Sequence, residues 1–259
     1  MTSAGRWIAA ARHLLDHIES TQMESIEAAS QMSARAIGSG GLVHLFGSGH
    51  SRIPVEEMFP RYGSFPGFHP MVELSMTFHT EVVGTNGQRQ AMFIERVEGL
   101  AEVILSSFHF GDDDVMMIFS ASGRAAVPVE MAIEAKARDL DVIAVTSISE
   151  SSAAPATHRS GNRLFEIADV VIDIGTPVGD ALVALDGLAQ PVGPGSTLAN
   201  AAVVNAIKVR TAELLVGSGT MPSVLTAATV VGEDESRRLF EDAYAEHSRR
   251  LAAILAAPE

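Results

Sequence analysis

Apolar positions at the start of the chain recur every three or four places. Trp7, Ile8, Ala11, Leu14, Leu15 and Ile18 make one stripe, and Ile26, Ala29, Met32, Ala36 and Ile37 continue it after an interruption at Glu19-Ser20-Thr21. This spacing predicts two helices over residues 4–38. The period then changes. Residues 42–46 form a short apolar run, the mark of a strand buried on both faces, and similar runs return at 115–119, 142–145 and 170–174, with a further strand at 182–185. Helical periods fill the intervals. A short helix over 52–59 has Pro54 in its first turn and Pro60 as its stop, and longer ones cover 91–109, 129–139, 198–216 and 233–255. Residues 61–70, with Gly63, Pro66, Gly67 and Pro70, read as a loop, 71–74 as a strand, 77–89 as an irregular segment containing His79 and Glu81, and 149–162 as a loop.

Strands alternating with helices imply an α/β fold with a doubly wound parallel sheet and right-handed crossovers. The predicted organisation is a single domain over 1–259, made of a helical arm (1–40), a core (41–217) and a C-terminal helical extension (218–259). Ligands in such sheets bind at the carboxyl ends of the strands.

Composition narrows the partners. With 18 basic against 32 acidic side chains the net charge is −14, which argues against nucleic acid or an anionic membrane surface as partner. There is no cysteine, so disulfides and thiolate chemistry are absent. No secretory leader and no apolar span of membrane length is evident, and the expected location is cytoplasmic.

Candidate chemistry lies where strands end. The run at 42–46 breaks into Gly47-Ser48-Gly49-His50-Ser51 ahead of a helix, and unpaired amides at a helix start favour an anion there. The run at 115–119 breaks into Ser120-Ala121-Ser122-Gly123-Arg124, and Gly195-Ser196-Thr197 opens the helix over 198–216. With no lysine in any of the three, a phosphate would be held by hydroxyls and backbone amides, with Gly49, Ser51, Ser120, Ser122, Gly123, Ser196 and Thr197 as its binding residues.

These three segments, in this order, resemble the phosphate-binding segments of the sugar isomerase (SIS) domain family over roughly residues 35–217. Val97-Glu98-Gly99-Leu100-Ala101-Glu102 and the turn at 120–124 are similar to the N-acetylmuramic acid 6-phosphate etherase branch and to uncharacterised SIS proteins. Ala125 departs from the pattern, standing where many relatives carry a threonine. The resemblance implies a flavodoxin-like SIS fold, a sugar-phosphate substrate, no cofactor, and a homodimer or homotetramer whose site lies near a subunit interface.

Carboxylates near the turns supply candidate acids and bases. Glu56 and Glu57 follow the first turn closely, Glu98 gains weight from the etherase-like segment, and His50 lies inside the first turn. A helix-surface pair between Glu57 and Arg61 is the structural alternative for Glu57, although Pro60 weakens it. Asp112-Asp113-Asp114 reads as a solvated turn, and the spacing of the histidines predicts no metal. Two reactions fit. One removes a C2 proton from an amino-sugar 6-phosphate, such as N-acetylglucosamine 6-phosphate, and expels the C3 substituent; this lyase reading is preferred because the similarity is to the eliminating branch. The other is aldose-ketose isomerisation of the phosphoheptose isomerase kind. A non-catalytic sugar-phosphate-binding protein is the third possibility.

Overall fold

The computed structural model describes residues 1–77 and 88–255. His79 and Glu81 lie outside the described residues. Two helices lead, α1 (Ser3–Thr21) and α2 (Met23–Gly38), broken at Gln22 just past the polar interruption. Then follow β1 (Val43–Gly47), α3 (Ile53–Met58), β2 (Phe68–Met71), α4 (Gln88–Ile94), α5 (Leu100–Leu105), β3 (Val115–Phe119), α6 (Ala126–Lys136) and β4 (Asp141–Thr146). The chain continues through α7 (Ile148–Ser152), β5 (Val170–Asp173), β6 (Ala181–Val183), β7 (Val192–Pro194), α8 (Ser196–Ser218), α9 (Ala228–Val231) and α10 (Glu233–Leu255).

Five parallel strands form one sheet in the order β2-β1-β3-β4-β5. Side chains alternate across it, as a strand requires. Val115, Met117 and Phe119 of β3 join Leu14, Ile37, Val203 and Ile207 in the core beneath α1, α2 and α8, while Met116 and Ile118 face the other way onto Leu105, Val127 and Met131 of α5 and α6. Each fully buried side chain of this size contributes about 1.5–3 kcal/mol. Covered on both faces, β1 and β3 are buried along their whole length, which explains why they read as continuous apolar runs.

Three expectations need correction. The edge strand β2 runs from Phe68 to Met71, so it meets the strand expected over 71–74 only at Met71 and takes its other three residues from the stretch read as a loop. Pro70 hid it, yet proline is tolerated on an edge strand because its missing N–H faces no neighbour. The helix expected over 91–109 is two short ones, separated at Gly99, whose φ of 88° no helix accommodates. The strand at 182–185 is β6, which pairs antiparallel with β7 in a separate two-stranded sheet. Trp7 packs within the chain, its indole N–H donating to Gly193 O at 3.2 Å, while Ala11, Leu14 and Ile18 are buried. Among the described residues, no helix is long and apolar enough to cross a membrane.

Candidate functional site

Strands β1 and β3 are neighbours, with Gly47 opposite Phe119, so the turns that follow them emerge side by side where the strand order reverses. The first turn is tight: a Cβ at position 47 would stand 2.1 Å from Ser51 O, so only glycine fits. In the second, Gly123 has φ of 57° and its amide donates to Ser120 Oγ at 3.1 Å, which curls the turn towards α6. Ser51 and Ser122 are half-buried at this edge and Ser120 is buried.

A carboxylate that the sequence reading passed over joins the two turns. Glu95, just after α4, accepts a hydrogen bond from Ser48 Oγ at 2.9 Å, and its backbone carbonyl accepts from the amide of Val127, in the first turn of α6, at 2.9 Å. Burial pushes the Glu95 carboxyl above its ordinary value, against the opposing pull of the Ser48 hydroxyl and the Arg96 charge. Glu95, Arg96, Glu98, Ser122, Arg124 and Thr157 line a cavity of about 470 Å³. In the sequence Glu95 sits among Arg96 and Glu98 and looks like one more solvated charge; only its spacing from Ala91 along α4 carried any signal.

The other predicted residues are dispersed. Glu57 accepts from Arg61 Nη1 at 2.7 Å and from Asn205 Nδ2 at 3.2 Å, which is the surface-pair arrangement despite Pro60, and it is not among the residues lining the cavity. Burial works against its ionisation, but Asn205 and Arg61 hold the Glu57 carboxyl below its usual range, a poor setting for a base. Glu56 is exposed and pairs with Arg52 at 3.3 Å, and His50 is exposed on the first turn. At the start of α8, Asp180 already occupies the anion seat: it accepts from the amides of Gly195 and Ser196 at 3.1 and 2.8 Å and from Ser196 Oγ at 2.6 Å. Thr197 is half-buried beside it.

Glu98 reaches the cavity and is held by the amide of Arg159 at 3.0 Å. Glu98, Glu130 and His158 bring one possible ligand atom each within 4.8 Å of one another. The amide of Ser160 donates to His158 Nδ1 at 3.2 Å, so the neutral ring carries its proton on Nε2, facing Glu130 Oε1 at 3.1 Å. A metal needs a bare Nε2 and an N–H on the other nitrogen, so this donor set fits a hydrogen-bonded latch better than an ion. Both Glu130 oxygens also accept from the amide of Gly99, at 2.9 and 2.8 Å, tying the segment after Glu95 to α6.

A second polar assembly lies at the amino ends of the strands. Asp114, the last residue of the expected solvated turn, is buried instead; it accepts from the amides of Leu42 and Gly111 at 2.7 and 2.9 Å and contacts His44 Nε2 at 3.0 Å. Burial pushes its carboxyl up, but His44 and the two amides outweigh that and hold it below the ordinary range. His44 Nδ1 meets His69 Nδ1 at 3.0 Å, and burial together with the neighbouring His44 pushes His69 down to about 3. A cavity of about 450 Å³ opens beside Asp114 and Arg250, whose Nη1 is spent on the carbonyls of Ile37 and Gly41.

Comparison with known proteins agrees with this fold. The family model described as SIS domain matches residues 6–147. A UPF0309 protein of Oceanobacillus iheyensis is 35% identical over 228 residues, covering 88% of this chain and 91% of that protein. One of Streptomyces coelicolor is 34% identical over 232 residues, covering 90% and 91%. Among solved structures, a phosphoheptose isomerase of Francisella tularensis superposes with a TM-score of 0.53 at 13% identity, over 82% of this chain and 98% of that one. The phosphoheptose isomerase of Neisseria gonorrhoeae gives 0.50 at 14% identity, over 80% and 94%. At that identity the likeness is one of fold.

Proposed function

The chain belongs to the SIS domain family, and from that premise we propose that it is a sugar-phosphate enzyme that moves a proton between adjacent carbons, an aldose-ketose isomerase. One observation carries the choice. Glu95 combines a place in the cavity, contact with the first turn through Ser48 and a carboxyl raised by burial. Isomerisation asks a single group to take a proton from C2 and return it to C1, and such a group works best with its pKa drawn towards the working pH. In this reading the phosphate rests against Ser51, Ser120 and Ser122, and the sugar extends over Glu95. Two isomerases of heptose phosphates share the fold, which makes this reaction the first to test.

Elimination is the second reading, favoured by the etherase-like segment that puts Glu98 in the same cavity. It needs a further group to protonate the departing oxygen, and Glu98 is committed to Arg159 and lies 3.8 Å from His158. The same proposal includes a homodimer or tetramer, since α1 leaves Ile8 and Leu15 exposed on its outer side; a monomer by light scattering would remove that part.

A panel of hexose, heptose and amino-sugar phosphates incubated with the protein in deuterated water separates the readings. An isomerase exchanges aldose for ketose and incorporates deuterium without losing any group. A lyase releases water or an acid and forms an ultraviolet-absorbing product. Binding with no chemical change would overturn both in favour of a sensor.

A further inference from the structure

The second turn is short of donors and long in charge. Ala125 caps α6 with no side-chain oxygen, Val127 has spent its amide on Glu95 O, and Pro128 has none to give. An anion at this helix start therefore meets fewer amides than a helix start normally offers. Beside it, Arg124 lines the cavity together with Ser122. Its Nε–H is buried with no hydrogen-bond partner among the described residues, and its Nη2 reaches Glu150 Oε1 only at 3.4 Å. Glu150 does not depend on that contact, since its other oxygen accepts from the amide of Gly179 at 2.6 Å. The backbone of Arg124 is pinned, its carbonyl accepting from Thr157 Oγ1 at 2.5 Å, so the guanidinium swings from a fixed root.

A buried donor without an acceptor is costly to maintain, and guanidinium is built to grip phosphate with two parallel hydrogen bonds. Glu95 and Glu98 also line the cavity, in a chain of net charge −14, so an anion entering it needs a local cation. Resting on the reading of this cavity as a sugar-phosphate site, we propose that Arg124 binds the substrate's phosphomonoester, its guanidinium standing in for the hydroxyl absent at Ala125. Phosphate then replaces the long contact with Glu150, and the site selects the dianionic monoester over neutral sugars and singly charged diesters. The expectation that hydroxyls and amides suffice is revised accordingly.

Calorimetric titration with inorganic phosphate and glucose 6-phosphate, with glucose as control, tests the assignment on the wild-type protein, Arg124→Met, Arg124→Lys and Glu150→Gln. The wild type binds both phosphates. Arg124→Met weakens both by about 10- to 100-fold, as loss of hydrogen bonds to a charged group requires. Arg124→Lys keeps the charge but not the fork and falls between, while Glu150→Gln releases Arg124 and binds at least as tightly as the wild type. Thermal melting midpoints of the folded variants stay together. Undiminished binding by Arg124→Met, or binding losses that simply follow lowered melting points across the variants, overturns the assignment and leaves the sugar-phosphate reading standing. Should Arg124→Met fail to fold, Arg124→Lys decides, and wild-type affinity in it overturns the assignment. Failure of the wild type to bind either phosphate overturns both.

Discussion

The two ends of the parallel sheet hold clusters of polar side chains in opposite states of satisfaction. At the amino end, Asp114, His44 and His69 are buried and bonded to one another and to the amides of Leu42 and Gly111. At the carboxyl end, Ser122 and Arg124 face a cavity, the Nε–H of Arg124 has no acceptor among the described residues, and Glu95 is held half-buried against its preference to ionise. A satisfied cluster stiffens the scaffold; donors left over mark the place where a ligand completes the structure. The cavity beside Asp114 is nearly as large as the one beside Arg124, so volume does not distinguish the two ends. The difference lies in which polar groups still lack partners.

The largest expected effect breaks the amino end. Asp114→Ala strands a buried histidine and two amides and should cost about 3–5 kcal/mol in denaturant unfolding, while phosphate affinity of the folded fraction stays the same. Next comes acid. The folded protein keeps His69 neutral down to about pH 3, whereas an unfolded histidine takes up its proton near 6.5. The unfolded state thus binds more protons between those limits, and stability falls as pH drops through that window, by a few kcal/mol in order of magnitude. His69→Asn should flatten that slope in urea titrations run across the range.

The carboxyl end should answer in rate and affinity instead. Glu95→Gln keeps the shape of the side chain but removes the base, and kcat should fall by at least about 10²-fold with unfolding midpoints little changed. Glu57→Gln, at a carboxylate bonded to Arg61 and Asn205 and absent from the cavity lining, serves as the contrast and should leave kcat within about twofold, at the scale of a surface pair. Smaller than the loss at Glu95 is that of Ser122→Ala. Loss of one hydroxyl from the phosphate seat should weaken glucose 6-phosphate binding about tenfold by calorimetry, and an unchanged affinity would take Ser122 out of the site.

How much of this was legible beforehand follows from the range over which each signal acts. The strands β1 and β3 and the turns after them announce themselves because burial on both faces and a backbone reversal are written in adjacent residues. Helices α8 and α10 are equally local. The expected strand over 71–74 is displaced from β2 because Pro70 reads as a breaker, and its tolerance depends on which strand lies at the edge, a fact of tertiary order. Gly99 splits the predicted helix without disturbing its apolar period, so periodicity alone ran straight through it. Glu95 and Asp114 were invisible for a shared reason: each sits among charges of solvent-facing type, and each is drawn inward, Glu95 partly and Asp114 fully, by a partner distant in sequence, Ser48 and His44. The Ser196 turn was legible as a helix start but not as an occupied one, since Asp180 returns to it from the far side of the β6–β7 hairpin.

That occupancy fixes a stoichiometry. The long helices α6 and α8 each begin at a serine- and glycine-bearing turn, yet α8 carries a counter-ion of its own in Asp180, which already accepts from the amides of Gly195 and Ser196. A second phosphate would have to evict a tethered anion that never leaves the vicinity, a competition that a dissolved ligand at millimolar concentration loses to a side chain held at far higher effective concentration. On the proposed reading of the carboxyl-end cavity, calorimetric titration is therefore expected to saturate at a single equivalent of phosphate, with a sugar bisphosphate gaining no more than the corresponding monophosphate.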